Sequence, residues 1–129
     1  MPLLRLDLPD SVTPDEARAL ADAAHAALVT HMDVPADDRF QVIARHPPGG
    51  LVIDRNYLGI ARSDRASVLQ VTLRAGRSLD QKQRFLAEYA RRAGEAGWRA
   101  ADLVVVIHEN TPADWSFGEG VAQYAPVAA

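Results

Sequence analysis

The start of the chain contains a residue that gains chemistry if its neighbour is removed. Met1 is followed directly by Pro2, which opens an alternating apolar run. A main-chain proline nitrogen does no acid–base chemistry, whereas the secondary amine of an amino-terminal proline can take up a proton, release one, or add to a carbonyl carbon. An α-amino group has a reference pKa of roughly 7.7–8.0, so burial or a neighbouring charge can adapt it to either role. Pro2 is therefore a candidate catalytic amine, the alternative being an ordinary Met-Pro start.

Two arginines mark a candidate anion site. Arg74 ends an apolar strand pattern, and Arg77 stands three residues on, just ahead of Ser78, which begins a predicted helix. The helix dipole is positive at that end, and guanidinium groups bind carboxylates through two parallel hydrogen bonds. The pair therefore suits recognition of a carboxylate, and the alternative is that both arginines are solvated loop charges.

Three further candidates lie in predicted loops. Asp38 precedes the second predicted strand, where the simplest interpretation is an ion pair with its neighbour Arg39. Trp115 and Phe117 lie beside glycines, and loop aromatics of this kind close a pocket or an interface. The four histidines lack the spacing of metal ligands, so we predict no metal site and interpret them as helix-surface or strand-end residues: His25, His31, His46 and His108.

Composition indicates one ordinary domain over residues 1–129. The net charge is -3 and the 14 basic residues are spread along the chain, which argues against a nucleic-acid surface. All but one of them are arginines, which suits carboxylate recognition. There is no cysteine, so disulfide and thiolate chemistry are excluded. We also expect no signal peptide, no membrane contact and a cytoplasmic location.

The chain contains a degenerate internal repeat at an offset of 65 residues. The apolar pattern of residues 2–8 recurs at residues 67–73, and each copy runs on into a helix. The segments Thr13–Glu16 and Ser78–Gln81 both have the residue types of a capping box, in which the first and fourth side chains bond each other's backbone. Both predicted helices carry a one-sided apolar stripe, typical of a helix packed on a sheet.

A second strand follows each helix, at residues 40–44 and 103–107, so the pseudo-repeats extend over about 2–46 and 67–110. Two β-α-β units predict an α+β domain with a four-stranded mixed sheet and both helices on one face. Residues 103–107 are apolar at every position, which indicates burial on both sides of the sheet. Because the chain has no third layer to offer, we expect another subunit to cover the second face. Residues 51–66 are predicted to form a short strand and a loop.

Taken together, these features resemble the tautomerase superfamily, whose members are trimers or hexamers with an amino-terminal proline as catalytic group. The resemblance is strongest to the malonate semialdehyde decarboxylase subgroup and covers nearly the whole chain. The last of the matching segments is the most specific: Pro2–Leu4, Asp22–His25, Val34–Ala36 with Asp38 and Arg39, Leu58–Gly59, Arg62–Ser63, Ser78 with Gln81 and Lys82, and Asp114–Gly118.

The resemblance implies a role for each candidate residue. Pro2 is carried over as the catalytic amine and Asp38 as its acid–base partner. A carboxylate clamp and an apolar wall are also implied, formed by Arg74 with Arg77 and by Trp115 with Phe117. The implied protein is a cofactor-free homotrimer that decarboxylates malonate semialdehyde, a small keto acid.

One departure concerns the clamp. The decarboxylase pattern has its arginines two apart, whereas Arg74 and Arg77 are three apart, as in relatives that dehalogenate cis-chloroacrylate. The additional histidine and tyrosine of those dehalogenases are not found at matching places. Two alternatives to decarboxylation stay open: keto–enol tautomerisation of a 2-oxo acid such as phenylpyruvate, and a non-catalytic trimeric interaction protein. Retention of Met1 would favour the last, because it blocks the amine.

Overall fold

Residues 1–127, which the computed structural model describes, form two consecutive β-α-β units, as the repeat predicts. Single 3-10 turns lie at residues 57–59, 100–102 and 112–114. Neither of the two helices is long and apolar enough to cross a membrane. The strands and helices in chain order are β1 (Pro2–Pro9), α1 (Pro14–His31), β2 (Gln41–His46), β3 (Ser67–Arg74), α2 (Leu79–Glu95) and β4 (Leu103–Asn110).

Both helices begin at the predicted capping boxes. The Thr13 hydroxyl accepts a hydrogen bond from the Glu16 backbone N–H at 3.2 Å, and the Glu16 carboxylate accepts one from the Thr13 N–H at 3.0 Å. Ser78 and Gln81 make the equivalent pair of bonds at the start of α2. These bonds satisfy backbone donors that have no partner inside the helix, which is why each helix starts where it does.

The sheet has the strand order β2-β1-β3-β4. Strands β1 and β2 are parallel, β3 and β4 are parallel, and β1 and β3 are antiparallel with Pro2 opposite Leu73. The predicted four-stranded mixed sheet is therefore confirmed. One end of the sheet, here the Pro2 end, gathers the starts of β1 and β2 with the ends of β3 and β4. We call the opposite end the Pro9 end.

The core lies between the sheet and the two helices. Alternate residues of β1 and β3 are buried against α1 and α2, and the predicted apolar stripe of α1 is buried throughout. In α2 the stripe is narrower than predicted, because Leu86 is 39% exposed. The largest fully buried side chains include Leu4, Leu6, Leu8, Leu20, Leu28, Leu69, Leu73, Phe85 and Tyr89.

The outer face of the sheet leaves apolar surface open in the single chain. Leu3, Val42 and Val106, one from each of three strands, are between 40% and 46% exposed. In the single chain, residues 103–107 are therefore not buried on both sides as predicted. The short strand predicted within residues 51–66 is wrong, because that segment is a loop with a 3-10 turn at Tyr57–Gly59.

Candidate active site

The amino terminus is held by the carboxylate predicted to act with it. The Met1 amino nitrogen lies 2.8 Å from Asp38 Oδ2, and both side chains are largely shielded, at 4% and 19% exposure. Asp38 belongs to the loop between α1 and β2, which ends at the Pro2 end of the sheet. Arg39 pairs instead with Asp22, so the simple alternative of an Asp38–Arg39 ion pair is wrong. Met1 precedes Pro2 in this structure, and the Pro2 nitrogen is therefore an amide.

The interpretation of the histidines as surface or strand-end residues is wrong for His25. This α1 residue is buried, and its Nε2 lies 2.8 Å from the carbonyl oxygen of Ala36, in the loop that carries Asp38. Helical periodicity could have indicated the burial, since His25 lies four residues after Ala21 and three before Leu28 in the buried stripe. The contact with Ala36 had no such signal, because it depends on where the following loop returns. The His25 contact is one of the features that sequence reasoning missed.

The two clamp arginines have different environments. Arg74 follows Leu73, the strand partner of Pro2; its side chain is exposed and makes no hydrogen bond or ion pair with residues 1–127. Arg77 is half-buried and donates from Nε and Nη2 to the Met32 carbonyl oxygen at 3.0 and 2.8 Å. Its Nη1 also donates to the Arg74 carbonyl oxygen at 3.3 Å. Arg77 therefore satisfies a carbonyl at the end of α1, whereas Arg74 has its donors available.

The charges around the arginines leave a local positive excess. Burial, followed by the positive charge of Arg74, lowers the pKa of Arg77, and Asp33 opposes this shift. Asp33 is itself bonded by the Gln81 amide at 3.1 Å. A cavity of about 280 Å³ lies here, lined by both arginines together with Asp33, Ala75, Gly76, Gln81 and Pro112. Within residues 1–127, the Arg74 side chain has no hydrogen-bond partner, so its donors are available to an anion in this cavity.

The aromatic residues form a cluster at the same end of the sheet. Trp115 and Phe117 stack with ring centroids 5.5 Å apart and planes within 9°. Phe117 also contacts Phe40 at 5.3 Å and Tyr124 at 5.9 Å. The Trp115 indole N–H donates to Asn110 Oδ1 at 2.6 Å, which fixes the ring to the end of β4. The predicted aromatic wall therefore includes two rings that the sequence analysis did not assign.

The aromatic wall lines two neighbouring cavities. One cavity of about 260 Å³ is lined by Asp38 together with Phe40, Phe117 and Tyr124. A neighbouring one of about 370 Å³ is lined by residues that include Leu3, Thr72, Asn110 and Trp115. A sequence signal for Phe40 existed, since it is an aromatic residue only two positions after Asp38. Tyr124 offered none, because it lies in a tail whose return to the loop is decided by packing.

The Pro9 end contains a larger cavity without these groups. It has a volume of about 510 Å³ and is lined mainly by the turn at residues 47–53 and by Pro9, Asp10 and Ser11. None of the six predicted site residues lines it. The amine, its carboxylate, the arginines and the aromatic rings all belong to the Pro2 end, where we place the candidate active site.

Comparison with known proteins identifies the family. Two family profiles, both described as tautomerase enzyme, match residues 38–118 and 2–60. The chain belongs to the tautomerase family. A probable tautomerase of Bacillus subtilis, YrdN, is 41% identical over 125 residues, which are 96% of each chain. A second probable tautomerase of that organism, YusQ, is 31% identical over 95% of this chain and 98% of its own length.

Solved structures of tautomerases place the chain more narrowly. FG41 malonate semialdehyde decarboxylase inhibited by 3-bromopropiolate is 39% identical, with a TM-score of 0.90 over 95% of this chain and 93% of that one. A further malonate semialdehyde decarboxylase structure is 38% identical, with a TM-score of 0.88 over 95% of both chains. A fused 4-OT symmetric trimer, 20% identical over 95% of this chain and 97% of that one, shares the fold at a TM-score of 0.74. The predicted resemblance to this superfamily and to its decarboxylase subgroup is confirmed.

Proposed function

We propose that this tautomerase-family protein is a cofactor-free enzyme that uses the Pro2 amine to decarboxylate malonate semialdehyde or a closely similar small keto acid. The observation that carries the proposal is the 2.8 Å contact between the chain's amino group and Asp38, at the end of the sheet that also holds Arg74. Removal of Met1 transfers the amino group to Pro2, one Cα–Cα step of about 3.8 Å along the chain. The similarity to malonate semialdehyde decarboxylases supports the choice of reaction.

The chemistry follows from what a decarboxylation requires. The bond between the carboxylate carbon and its neighbour breaks, carbon dioxide leaves, and the electron pair moves toward the carbonyl. A protonated Pro2 can accept this charge by a hydrogen bond to the carbonyl oxygen, or a neutral Pro2 can form an iminium with the carbonyl carbon. The resulting enol takes a proton on carbon and loses the one on oxygen. On the iminium route, which releases water when the iminium forms, the enamine takes a proton on carbon and is then hydrolysed, which frees the product and the Pro2 amine.

The clamp and the wall have opposing tasks. Arg74 offers free donors to the substrate carboxylate, and Arg77 adds positive charge while holding the Met32 carbonyl. Tight binding of the ground-state anion alone would slow loss of carbon dioxide, so the arginines should orient the carboxylate more than stabilise it. The stacked rings of Trp115 and Phe117 offer an apolar surface that suits the neutral product better than the anion.

We further propose a homotrimer whose sheets face inward. The partly exposed Leu3, Val42 and Val106 on the outer sheet face support this assembly, as does the shared fold with fused 4-OT trimers. Light scattering at micromolar concentration should give three times the chain mass of 14.0 kDa. A monomer under those conditions would contradict the assembly. The cytoplasmic location stays a prediction from the sequence.

Tautomerisation of a 2-oxo acid is the second candidate, favoured by the names of the Bacillus subtilis relatives. In that reaction Pro2 takes a proton from the carbon beside the carbonyl and returns one to oxygen, or the reverse, so a C–H bond is exchanged for an O–H bond and no carbon–carbon bond is broken. The same clamp would hold the carboxylate. A non-catalytic interaction protein is the outcome if Met1 is retained, because the Pro2 nitrogen then stays an amide.

Mass spectrometry of the mature amino terminus and a substrate panel test these alternatives. We expect Met1 to be absent, malonate semialdehyde to be turned over faster than phenylpyruvate, and 3-bromopropiolate to leave a covalent adduct on the amino-terminal peptide. Faster turnover of phenylpyruvate would favour the tautomerase. If neither substrate reacts although Pro2 is free, the enzyme proposals fail and the interaction protein becomes the leading function.

A further inference from the structure

The loop that carries Asp38 is fastened to helix α1 by His25. A carbonyl oxygen only accepts hydrogen bonds, so the 2.8 Å contact with Ala36 requires the proton of the ring to be on Nε2 of His25. The other ring nitrogen, Nδ1, is buried and has no hydrogen-bond partner among residues 1–127. Ala36 is two residues before Asp38. The buried ring therefore fixes the loop on the amino-terminal side of the carboxylate.

A second attachment lies directly after Asp38. Arg39 Nη2 lies 2.5 Å from Asp22 Oδ1, and Arg39 also donates to the Gln41 side-chain oxygen. Burial alone would raise the pKa of Asp22, but hydrogen bonds from Arg39 and then Arg18 outweigh it and lower the pKa. Asp22 is therefore a carboxylate at neutral pH, and the pair with Arg39 is a charged hydrogen bond.

Both attachments join the same face of helix α1 to the same turn of the loop that carries Asp38. Asp22 and His25 are three residues apart on α1, which places them side by side. Between their partners the chain makes a turn closed by a 3.0 Å bond from the Asp38 N–H to the Pro35 carbonyl. Asp38 thus lies in a turn held on both sides, with its carboxylate aimed at the amino terminus. The Asp22–His25 segment, which matches the family pattern, has no other function in the proposed site.

We propose that His25 and Asp22 are positioning residues: they hold the Asp38 carboxylate against the amino-terminal amine and so govern how firmly the amine keeps its proton. The catalytic meaning of this arrangement rests on the proposed function. The other charged side chains at the Pro2 end are Asp37 in the same loop, the clamp arginines with Asp33, the Lys82–Glu109 pair and Asp114. Among residues 1–127, Asp38 is the one charged side chain that contacts the amine.

The test is an NMR titration of the amine, which needs no turnover. In protein labelled at proline and lacking Met1, Asp38→Asn should lower the amine pKa, because the charged amine loses a neighbouring carboxylate. His25→Leu should shift the pKa in the same direction. His25→Gln should give a smaller shift than His25→Leu, since an amide N–H can donate to the Ala36 carbonyl oxygen. The double variant should shift no further than Asp38→Asn alone, because His25 acts through Asp38.

The controls separate positioning from folding. Arg18→Gln removes the other partner of Asp22 but leaves both loop attachments, and should titrate like the unaltered protein. If His25→Leu does not fold, Arg39→Gln breaks the second attachment and should give the same direction of shift. A folded His25→Leu protein with an unaltered amine pKa, or shifts that add in the double variant, would overturn the inference. Failure of the proposed function would appear separately, as absence of turnover in the unaltered enzyme.

Discussion

The two β-α-β halves of the chain have the same elements, but the candidate catalytic groups lie at only one end of the sheet. At the 65-residue offset Pro2 corresponds to Ser67, which is internal to the chain, fully buried and bonded to the Asp102 carbonyl. Asp38 corresponds to Leu103, the first residue of β4. The second half therefore has neither a free amine nor a carboxylate at the matching places.

The two clamp arginines also have no equivalent in the other half of the repeat. Arg74 and Arg77 correspond to Pro9 and Val12, and Val12 is part of the buried core. The Pro9 end nevertheless has the larger cavity, about 510 Å³ against about 280 Å³ beside the arginines. The duplicated fold supplies a scaffold at both ends of the sheet. The residue types at these few positions, and not the size of the cavity, distinguish the end of the sheet that we propose to be catalytic.

Replacement of Pro2 should have the largest effect. Pro2→Ala keeps an amine but makes it primary and less constrained, so kcat/KM on malonate semialdehyde should fall by about 10²–10⁴-fold, the range for an acid–base group. Pro9→Ala at the other end is the matched control and should retain most activity. Circular dichroism should show both proteins folded. Unaltered rates in Pro2→Ala would remove the amine from the mechanism.

Asp38→Asn separates the two reactions. In decarboxylation Asp38 supports the protonated amine or orders a water beside the carbonyl, so about 10²-fold of kcat should be lost. In tautomerisation Pro2 moves the proton alone, and the loss on phenylpyruvate should be small. The exposed neighbour changed as Asp37→Asn serves as the control. Equal losses for Asp38→Asn and Asp37→Asn would show that Asp38 has no specific catalytic role.

The arginines should separate binding from stability. Arg74→Ala should lower kcat/KM for carboxylate substrates by about 10–100-fold, the value of a hydrogen bond to a charged group, with little change in Tm. Arg77→Ala should lower both, because it also deprives the Met32 carbonyl of its donors. Thermal unfolding and steady-state kinetics of both variants check this. A Tm loss confined to Arg74→Ala would reverse the assignment.

The smallest effect on activity is expected near the Pro9 end. Burial alone would raise the pKa of Asp7, but hydrogen bonds from Arg5 and His46 outweigh it and lower the pKa below its usual value. This stabilisation is present above the unfolded pKa of about 3.9 and is lost as pH falls through the lower folded value. Asp7→Asn should therefore cost about 2 kcal/mol at neutral pH, with kcat unchanged.

Chemical denaturation as a function of pH checks the sign of that effect. The difference between Asp7→Asn and the unaltered protein should begin to shrink as the pH falls below about 3.9, and should vanish once the pH is below the lower folded pKa, where the carboxylate is protonated in both states. Asp10→Asn, an exposed carboxylate three residues later, is the control. A difference that stays constant down to pH 2 would show that packing, and not charge, accounts for the loss.

Local signals account for most of the fold that could be predicted. Capping boxes, apolar stripes and strand patterns depend on residues within one or two turns of each other, and the structure contains six of the seven predicted elements. The apolar run at residues 103–107 indicated only that another layer should cover the second face of the sheet. The strand expected within 51–66 failed because its apolar residues, such as the exposed Val52 and Leu58, have no neighbouring strand to pair with.

The site was predictable as a set of residues but not as a set of contacts. Pro2, Asp38 and the arginines stand out by type and by family pattern. The capture of the Met32 carbonyl by Arg77, the His25 contact with Ala36 and the contact of Tyr124 with Phe117 each involve a loop or the chain's tail. Spacing rules apply within one helix or strand and do not predict such contacts, because loops return at angles set by packing.

The amino-acid sequence alone was enough to predict the two helices, the four strands of the sheet, the family and the candidate site residues. Tertiary structure alone decided where those groups meet. The antiparallel pairing of β1 with β3 brings Arg74 beside Pro2, and the return of the chain after α1 brings Asp38 to the amine. Propensity and periodicity act within one element, whereas strand pairing and loop anchoring depend on the free energy of the whole packed chain.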